Sequence, residues 1–376
     1  MLNEMPMDLP DADDDASGAN GEILHIYTLL LVEATQQLRD VASMDILRNE
    51  VFELKQHLLD PDSHFQGVAE TDETTPFPPD YLCDELDQIS ASQSLERARY
   101  YIERFLKSIT EVRTNAVNDI NLNSWKKYDD IYTDSLWVID RRDSSGVHTA
   151  GYWGNFIPQI PSQMIRRYTK HGDWVIDTFA GSGTTLIEAQ RWGRHSIGVE
   201  LQPNIADHAR ALIAAEPNED GVTSDIVNGD CTTINYPKLL EQYQQSSAQL
   251  VIMHPPYFDI IKFSDDARDL SNASSVEHFL AMIGQAVDNV TTVLDPKRYL
   301  VIVIGDKYVK GEWIPLGFQT MNEIVQRGFL LKSIVVKNFE TTTGKRHQRE
   351  LWKYRALVGG FYVFKHEYIF VFQKRP

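Results

Sequence analysis

The sequence predicts an α/β protein: a sheet with helices on both faces, an antiparallel C-terminal edge, and an α-helical extension in front. Three observations predict it. From about Thr149, short apolar runs alternate with helical stretches: WVIDTF, HSIGVEL, SDIVNGD, QLVIMHPPY, YLVIVIGD, FLLKSIVVKN and EYIFVFQK. Continuous apolar runs of this length read as strands buried on both faces. The last two runs are joined only by a basic loop, so they are expected to pair antiparallel at an edge. Upstream, apolar residues recur at three-to-four spacing, Ile23, Ile26, Tyr27, Leu30 and Leu31, then Ile46, Leu47, Val51, Leu54 and Leu58, then, within 84–122, Leu95, Ala98, Tyr101, Ile102, Phe105 and Ile109. That is the spacing of helices with one buried face.

In order along the chain, residues 1–21 are acidic, rich in Gly, Asp and Ala, and without period, so they are expected to be a disordered tail. Residues 22–148 read as an N-terminal helical region, with a linker near 60–80 where Asp-Pro and Pro-Phe-Pro-Pro occur. Residues 149–376 read as the α/β domain. The N-terminal helices are expected to serve a homodimer or a partner protein rather than chemistry.

Bulk properties exclude several classes. No apolar run approaches the ~18 residues of a membrane span, and MLNEMPMDLPDADDD lacks the basic start of a signal peptide. A cytoplasmic protein is therefore expected. Two cysteines, Cys83 and Cys231, allow neither a paired-Cys zinc site nor a disulfide framework. No HExxH helix suggests a zinc hydrolase, and no metal is expected.

The net charge of −18 looks unsuited to a nucleic-acid partner, but its distribution points the other way. Residues 1–90 hold 21 Asp/Glu against 3 Lys/Arg, and the rest of the chain is balanced. From Leu330 to the end, 10 Lys/Arg face 3 Glu. Basic and aromatic residues interleave there, with Lys345, Arg346, Arg349, Trp352, Lys353, Tyr354 and Arg355 close together. Such a segment suits phosphate contact.

Two motifs carry chemistry. Trp174 to Thr185, WVIDTFAGSGTT, is a buried strand, a glycine turn and a helix start. Gly181 and Gly183 allow positive φ and close approach of a ligand. No Lys follows, as a phosphate loop requires, and no third Gly completes a dinucleotide fingerprint. Asp177 ends the strand, where a carboxylate suits a cationic amino-acid moiety. Glu200 ends the next strand, in the position that commonly binds ribose hydroxyls, and Asp230 follows a third, where it can meet an adenine amino group. The second motif is Leu250 to Tyr257, LVIMHPPY, a strand stopped by two prolines at the carboxyl end of the sheet. The Pro255 carbonyl and the side chain of His254 offer hydrogen-bond acceptors, and Tyr257 offers an aromatic face for stacking. The reference pKa of imidazole also suits His254 to taking a proton near neutrality.

DTFAGSGTT, GVELQP, NGD and HPPY, in that order, together with GNFIPQIP before the first strand and HEYIFVFQK at the end, resemble the amino-methyltransferases of DNA. The resemblance spans roughly residues 150–376. It implies a Rossmann-like methyltransferase sheet, S-adenosyl-L-methionine as cofactor, and N6-adenine or N4-cytosine of DNA as target, with self-protection of a host genome as the common role. It implies that Asp177 faces the methionine amino group and that Phe179, Ala180, Gly181, Gly183 and Thr184 shape the cofactor turn. Glu200 would hold the ribose hydroxyls and Asp230 the adenine edge, with Phe156 and Pro158 closing over the cofactor. His254, Pro255, Pro256 and Tyr257 would form the catalytic loop, where the base amine, a poor nucleophile, would meet the acceptors that draw its protons away and Tyr257 would stack on a base swung out of its duplex. The family usually has Asp, Asn or Ser where this chain has His254, which leaves the target base open. Lys262, Lys345, Arg346, Arg349, Lys353 and Arg355 are expected to contact nucleic acid. Ring-carbon methylation is disfavoured, because neither cysteine follows Pro. An RNA base-amino methyltransferase and a catalytically idle cofactor-binding module stay open as alternatives.

Overall fold

The computed structural model describes residues 23–149, 151, 154–339 and 349–376. The acidic tail expected over 1–21 lies outside the described residues. The chain divides into two compact units: Met1–Arg113 with Asn121–Asp129, and Thr114–Ile120 with Asp130–Pro376.

The first unit contains β1 (Leu24–Tyr27), α1 (Thr28–Arg39), α2 (Met44–Leu59), β2 (Thr74–Phe77), α3 (Pro79–Ser90) and α4 (Leu95–Thr110). Ser43 and Ser94 cap α2 and α4 by accepting the Ile46 and Arg97 N–H groups at 3.3 and 3.2 Å, which satisfies donors a helix start leaves open. Leu47, Val51, Leu54 and Leu58 bury one face of α2, and Ile102 and Phe105 one face of α4. Two stretches differ from their sequence reading. Residues 24–27 share the helical spacing but form β1, because they pair antiparallel with Thr74–Phe77, inside the stretch read as a linker. Pro76 is tolerated there because β2 is an outer strand. Helix α4 stops at Thr110, short of the end of the stretch read as helical. Beyond it, Asn115, Asn118 and Asn121 accept the Val117, Ile120 and Asn123 N–H groups, local turns that compete with helix.

The second unit runs β3 (Leu136–Trp137), α5 (Gln159–Tyr168), β4 (Trp174–Asp177), α6 (Thr184–Arg191), β5 (His195–Glu200), α7 (Pro203–Ala215), β6 (Ser224–Asn228), α8 (Tyr236–Glu241), β7 (Ala248–Met253), α9 (Val276–Thr291), β8 (Leu294–Ile304), β9 (Lys307–Val309), β10 (Glu312–Ile314), α10 (Leu316–Gln326), β11 (Leu330–Asn338), α11 (Arg349–Gly359) and β12 (His366–Gln373). Eight strands form one sheet in the order β3-β11-β12-β8-β7-β4-β5-β6. The pairs from β8 through β6 are parallel, and β12 runs antiparallel to both β8 and β11. The expected antiparallel pair is present, with the two-residue β3 added outside it, parallel to β11.

Period-two alternation explains why the strands are apolar throughout. Val251, Met253, Leu300, Ile302, Phe370 and Phe372 pack on one face with Phe279, Ile283 and Val287 of α9. Leu250, Ile252, Val301, Val303, Ile369 and Val371 pack on the other with Ile160, Met164 and Ile165 of α5. Strands buried on both faces carry no polar side. From β4 the chain winds outward to β5 and β6, then returns to place β7 on β4's other flank. That reversal puts the crevice for a ligand beyond the carboxyl ends of β4 and β7.

Candidate active site

At the end of β4 the chain turns sharply into α6. Gly181 and Gly183 have φ of +50° and +83°, backbone that a side chain would strain. The turn is pinned by the Ala180 N–H on the Val199 carbonyl at 3.0 Å. Glu200, at the end of β5, accepts the Gly181 N–H at 3.0 Å through one oxygen and the Gln202 N–H at 2.9 Å through the other. Burial pushes its carboxyl up, against those two N–H groups. Asp230 follows β6 and accepts the Thr232 N–H and hydroxyl at 2.8 and 2.7 Å on a single oxygen. Asp177 accepts the Phe179 N–H at 2.9 Å through Oδ1. Its Oδ2 is buried without a hydrogen-bond partner. Burial pushes Asp177 up to about 6, against the nearby Thr185 hydroxyl and the Phe179 N–H, and the charge of Glu200 adds to the rise. The Thr185 hydroxyl eases that charge by proximity only, for it too lacks an aligned hydrogen bond.

The segment before α5 is strapped onto this turn. Thr184 donates its hydroxyl to Asn155 Oδ1 at 2.7 Å, and Arg142 donates to the Phe156 and Thr149 carbonyls at 3.0 and 3.2 Å. Phe156 therefore reaches His254, with ring centroids 4.7 Å apart.

His254, Pro255, Pro256 and Tyr257 follow β7 directly. The loop ends at Phe258, whose φ is +55°, a strained value for a residue with a side chain. Burial of the Phe258 ring against Phe279, 5.9 Å between centroids, holds it there. Tyr257 lies over Gly305 at the end of β8, where a Cβ would come within 2.9 Å of its ring. The Tyr257 hydroxyl donates to Glu367 Oε2 at 2.8 Å and lies 3.2 Å from His254 Nε2. Glu367 Oε1 is 3.1 Å from Lys337 Nζ. Burial first, then the Glu367 carboxylate, pushes the Tyr257 phenol well up. Burial pushes His254 down to about 4, with Glu367 raising it and Lys337 lowering it. Burial thus holds His254 below the range of a free imidazole and favours its neutral form.

Both motifs open into one cavity of about 800 Å3. Phe156, Phe179, Ala180, Gly181, Glu200, Asp230, His254, Pro255, Pro256 and Tyr257 line it. Pro158, Asp177, Gly183 and Thr184 are buried and do not line it. Cys231 is also on the wall, where burial raises its thiol. Lys262 is exposed and paired with Asp265 at 2.5 Å. Lys353 and Arg355 are exposed on α11, with the Arg355 guanidinium 5.2 Å from the Trp352 ring. Lys345 and Arg346 lie outside the described residues, as does the side chain of Arg349.

Sequence reasoning missed the far wall. Tyr308, Phe339, Trp352, Phe361 and Phe364 line the cavity beyond Tyr257, and Tyr308 stacks on Phe361 at 4.1 Å. It also missed Glu367 and Lys337. The signal for those two was opposite charges carried inside two apolar runs, Lys337 in one and Glu367 in the other, at positions that pair directly across β11 and β12.

A buried carboxylate oxygen without a partner, a second carboxylate aimed by backbone N–H groups, and an aromatic cavity fit a cationic nucleoside. The sheet order and this site define the Rossmann-like methyltransferase fold. The family model for DNA methylase of the N6/N4 type matches residues 85–211 and 248–376, and the chain belongs to that family. S-adenosylmethionine is the methyl donor this membership implies. Two relatives are Type II methyltransferases. M.MthZI of Methanothermobacter thermautotrophicus is 36% identical over 97 residues, 26% of this chain and 25% of that protein. M2.DpnII of Streptococcus pneumoniae is 33% identical over 99 residues, 25% of this chain and 34% of that protein. The chain thus matches about a third or less of the length of these relatives. The solved structure of TrmN from Thermus thermophilus overlaps 58% of this chain and 49% of its own at a TM-score of 0.39 and 14% identity. The fold assignment rests on the strand order, not on that overlap. Among the described residues no helix is long and apolar enough to cross a membrane.

Proposed function

We propose that this chain transfers a methyl group from S-adenosylmethionine to the exocyclic amine of adenine (N6) or cytosine (N4) in DNA, as the modification methylase of a restriction or defence system. The observation that carries the reading is the single cavity joining the β4–α6 turn to the His-Pro-Pro-Tyr loop at the sheet's switch point. When bound, the cofactor supplies a methyl group on a sulfonium, a strong electrophile that leaves as a neutral thioether.

This chain's residues do the rest. Glu200 is presented to ribose hydroxyls by the Gly181 and Gln202 N–H groups. Asp230 keeps one oxygen for the adenine edge. Asp177 stabilises the cationic methionine amino group through the field of its buried carboxylate. Phe156, strapped by Arg142, keeps water from the reacting end, and Pro158 anchors that strap at the start of α5. At the other end a base is held among Tyr257 and the far aromatic wall, its amine directed at His254 and the Pro255 carbonyl. Both accept N–H hydrogen bonds, which turns the nitrogen lone pair out of conjugation and towards the methyl carbon. The nitrogen that has gained a methyl group is strongly acidic, so the neutral His254 ring can take its proton and pass it to water. Lys262, Lys345, Arg346, Arg349, Lys353 and Arg355 contact the phosphates that bring the base in.

The test is transfer of labelled methyl from S-adenosylmethionine to unmethylated genomic DNA, with the product digested to nucleosides and weighed. N6-methyladenine or N4-methylcytosine is the expected product. Label that enters transfer RNA and not DNA, or cofactor binding without any product, would overturn the reading.

A further inference from the structure

We propose that Glu367 and Lys337 are positioning residues that fix the tautomer of His254 through Tyr257, so that Nδ1 is the ring's hydrogen-bond acceptor for the substrate amine. This rests on the methyltransferase reading above. The protons along four groups can be counted. Lys337 has only donors and Glu367, as its ion-paired carboxylate, only acceptors. Tyr257 has one hydroxyl proton, and it goes to Glu367 Oε2 at 2.8 Å. The Tyr257 oxygen is then left as an acceptor towards His254 Nε2, 3.2 Å away, so Nε2 carries the ring proton. A neutral imidazole has only one such proton, and Nδ1 keeps its lone pair. The direction of every bond is set at the far end, by a Lys–Glu pair on β11 and β12 that is buried and 3.1 Å apart.

Among the described residues, the charges that act on His254 are those of Glu367 and Lys337, with the rings of Phe156 and Tyr257 packed beside it. The arrangement gives a reason for a histidine where a carboxylate or amide serves elsewhere. An amide oxygen accepts without help, whereas an imidazole accepts at a chosen atom only if its other nitrogen is told to donate. Replacing Glu367 by Gln removes that instruction. A glutamine amide can donate to the Tyr257 oxygen, Tyr257 can then donate to Nε2, and the proton moves to Nδ1, where it opposes the substrate N–H. In the Ser-His-Asp triad the wrong tautomer costs on the order of 10⁴ in kcat. A loss of about 100-fold is expected here, because the Pro255 carbonyl remains as a second acceptor.

The experiment uses the full chain with 15N-histidine, its His254 signals assigned by loss in His254→Gln. Imidazole 15N shifts report which nitrogen is protonated. In the unsubstituted protein they should show Nε2–H throughout the neutral range. Glu367→Gln should give a mixture or the other tautomer, and a kcat lowered about 100-fold while KM for DNA and cofactor moves less than about threefold. Should Glu367→Gln not fold, Tyr257→Phe removes the same link and should scramble the tautomer equally. An unsubstituted His254 already protonated on Nδ1, or a variant that keeps Nε2–H and full kcat, overturns the proposal. The spectra need no DNA. A protein that methylates nothing yet holds Nε2–H fails the functional reading while the relay stands, and an active enzyme with a scrambled His254 fails the relay alone.

Discussion

The two ends of the cavity are built differently. At the cofactor end the hydrogen bonds that aim each acid are short-range: Asp177 to Phe179, Glu200 to Gln202 and Asp230 to Thr232, each two residues apart, with Glu200 to Gly181 at nineteen. At the base end the acceptor His254 is governed by a bond spanning 110 residues, from Tyr257 to Glu367. One end is a set of turns that carry their own instructions. The other exists only once β11 and β12 have closed against β8. This difference predicts separable failures: damage at one end should leave the other working.

The largest effect expected is from His254→Ala. It removes the acceptor at the reacting nitrogen and should lower kcat on the order of 10³-fold, within the range for a lost acid–base group. Cofactor affinity, measured by calorimetry without DNA, should change less than about twofold if the two ends are independent. A cofactor affinity that falls in step with kcat would show the ends to be one coupled structure.

Asp177→Asn tests the other end and should act in two directions. A buried acid raised from 3.8 to about 6 favours its neutral form in the folded state. Its stabilising contribution is complete below pH 3.8 and is lost as pH rises through about 6. Above that, the ionised group costs the empty protein roughly 3 kcal/mol. The amide variant should therefore melt higher than the parent above about pH 6, with the advantage fading towards pH 4. It should bind S-adenosylmethionine about 10- to 50-fold more weakly, having lost the charge that meets the cationic amino group. A variant that melts lower and binds as well would remove Asp177 from the cofactor's field.

The same two ends should titrate apart. At saturating cofactor, kcat depends on neutral His254 and should fall only as pH drops towards about 4 rather than through 6.5. KM for the cofactor depends on ionised Asp177 and should rise as pH falls below about 6, roughly tenfold by about pH 5. A kcat limb near 6.5 would mean that His254 is open to water during turnover.

The split between local and distant contacts also decides what was legible in the sequence. The strands of the sheet could be read because burial on both faces leaves no polar residue in a run such as YLVIVI. The cofactor turn could be read because its glycines and acids sit within a few residues of the atoms they serve. β1 could not, since Leu24–Tyr27 has helical spacing and becomes a strand only by meeting Thr74–Phe77. Nor could the relay. Lys337 and Glu367 are opposite charges that gain meaning only from a register that pairs them across β11 and β12. His254 stood out as a departure from pattern, but what holds it neutral is burial that the motif does not encode.

The smallest effect separates the cavity from the surface that delivers DNA to it. Lys353 is exposed on α11 and meets no acid in the ion pairs among the described residues, whereas Lys262 is tied to Asp265 at 2.5 Å. Lys353→Ala should weaken DNA binding severalfold and reduce the slope of log affinity against log salt by about 0.9, one phosphate's worth of released counterions. Lys262→Ala also leaves the exposed Asp265 carboxylate without its ion-pair partner, so it should weaken binding at low salt by more than one contact is worth and recover as salt screens the repulsion. Fluorescence anisotropy on one labelled duplex, titrated at several salt concentrations, reads both. Neither change reaches the reacting atoms, so kcat at saturating DNA should stay within about twofold of the parent. Equal slopes for all three proteins would move the DNA-contacting surface away from α11 and from the loop that follows the His-Pro-Pro-Tyr motif.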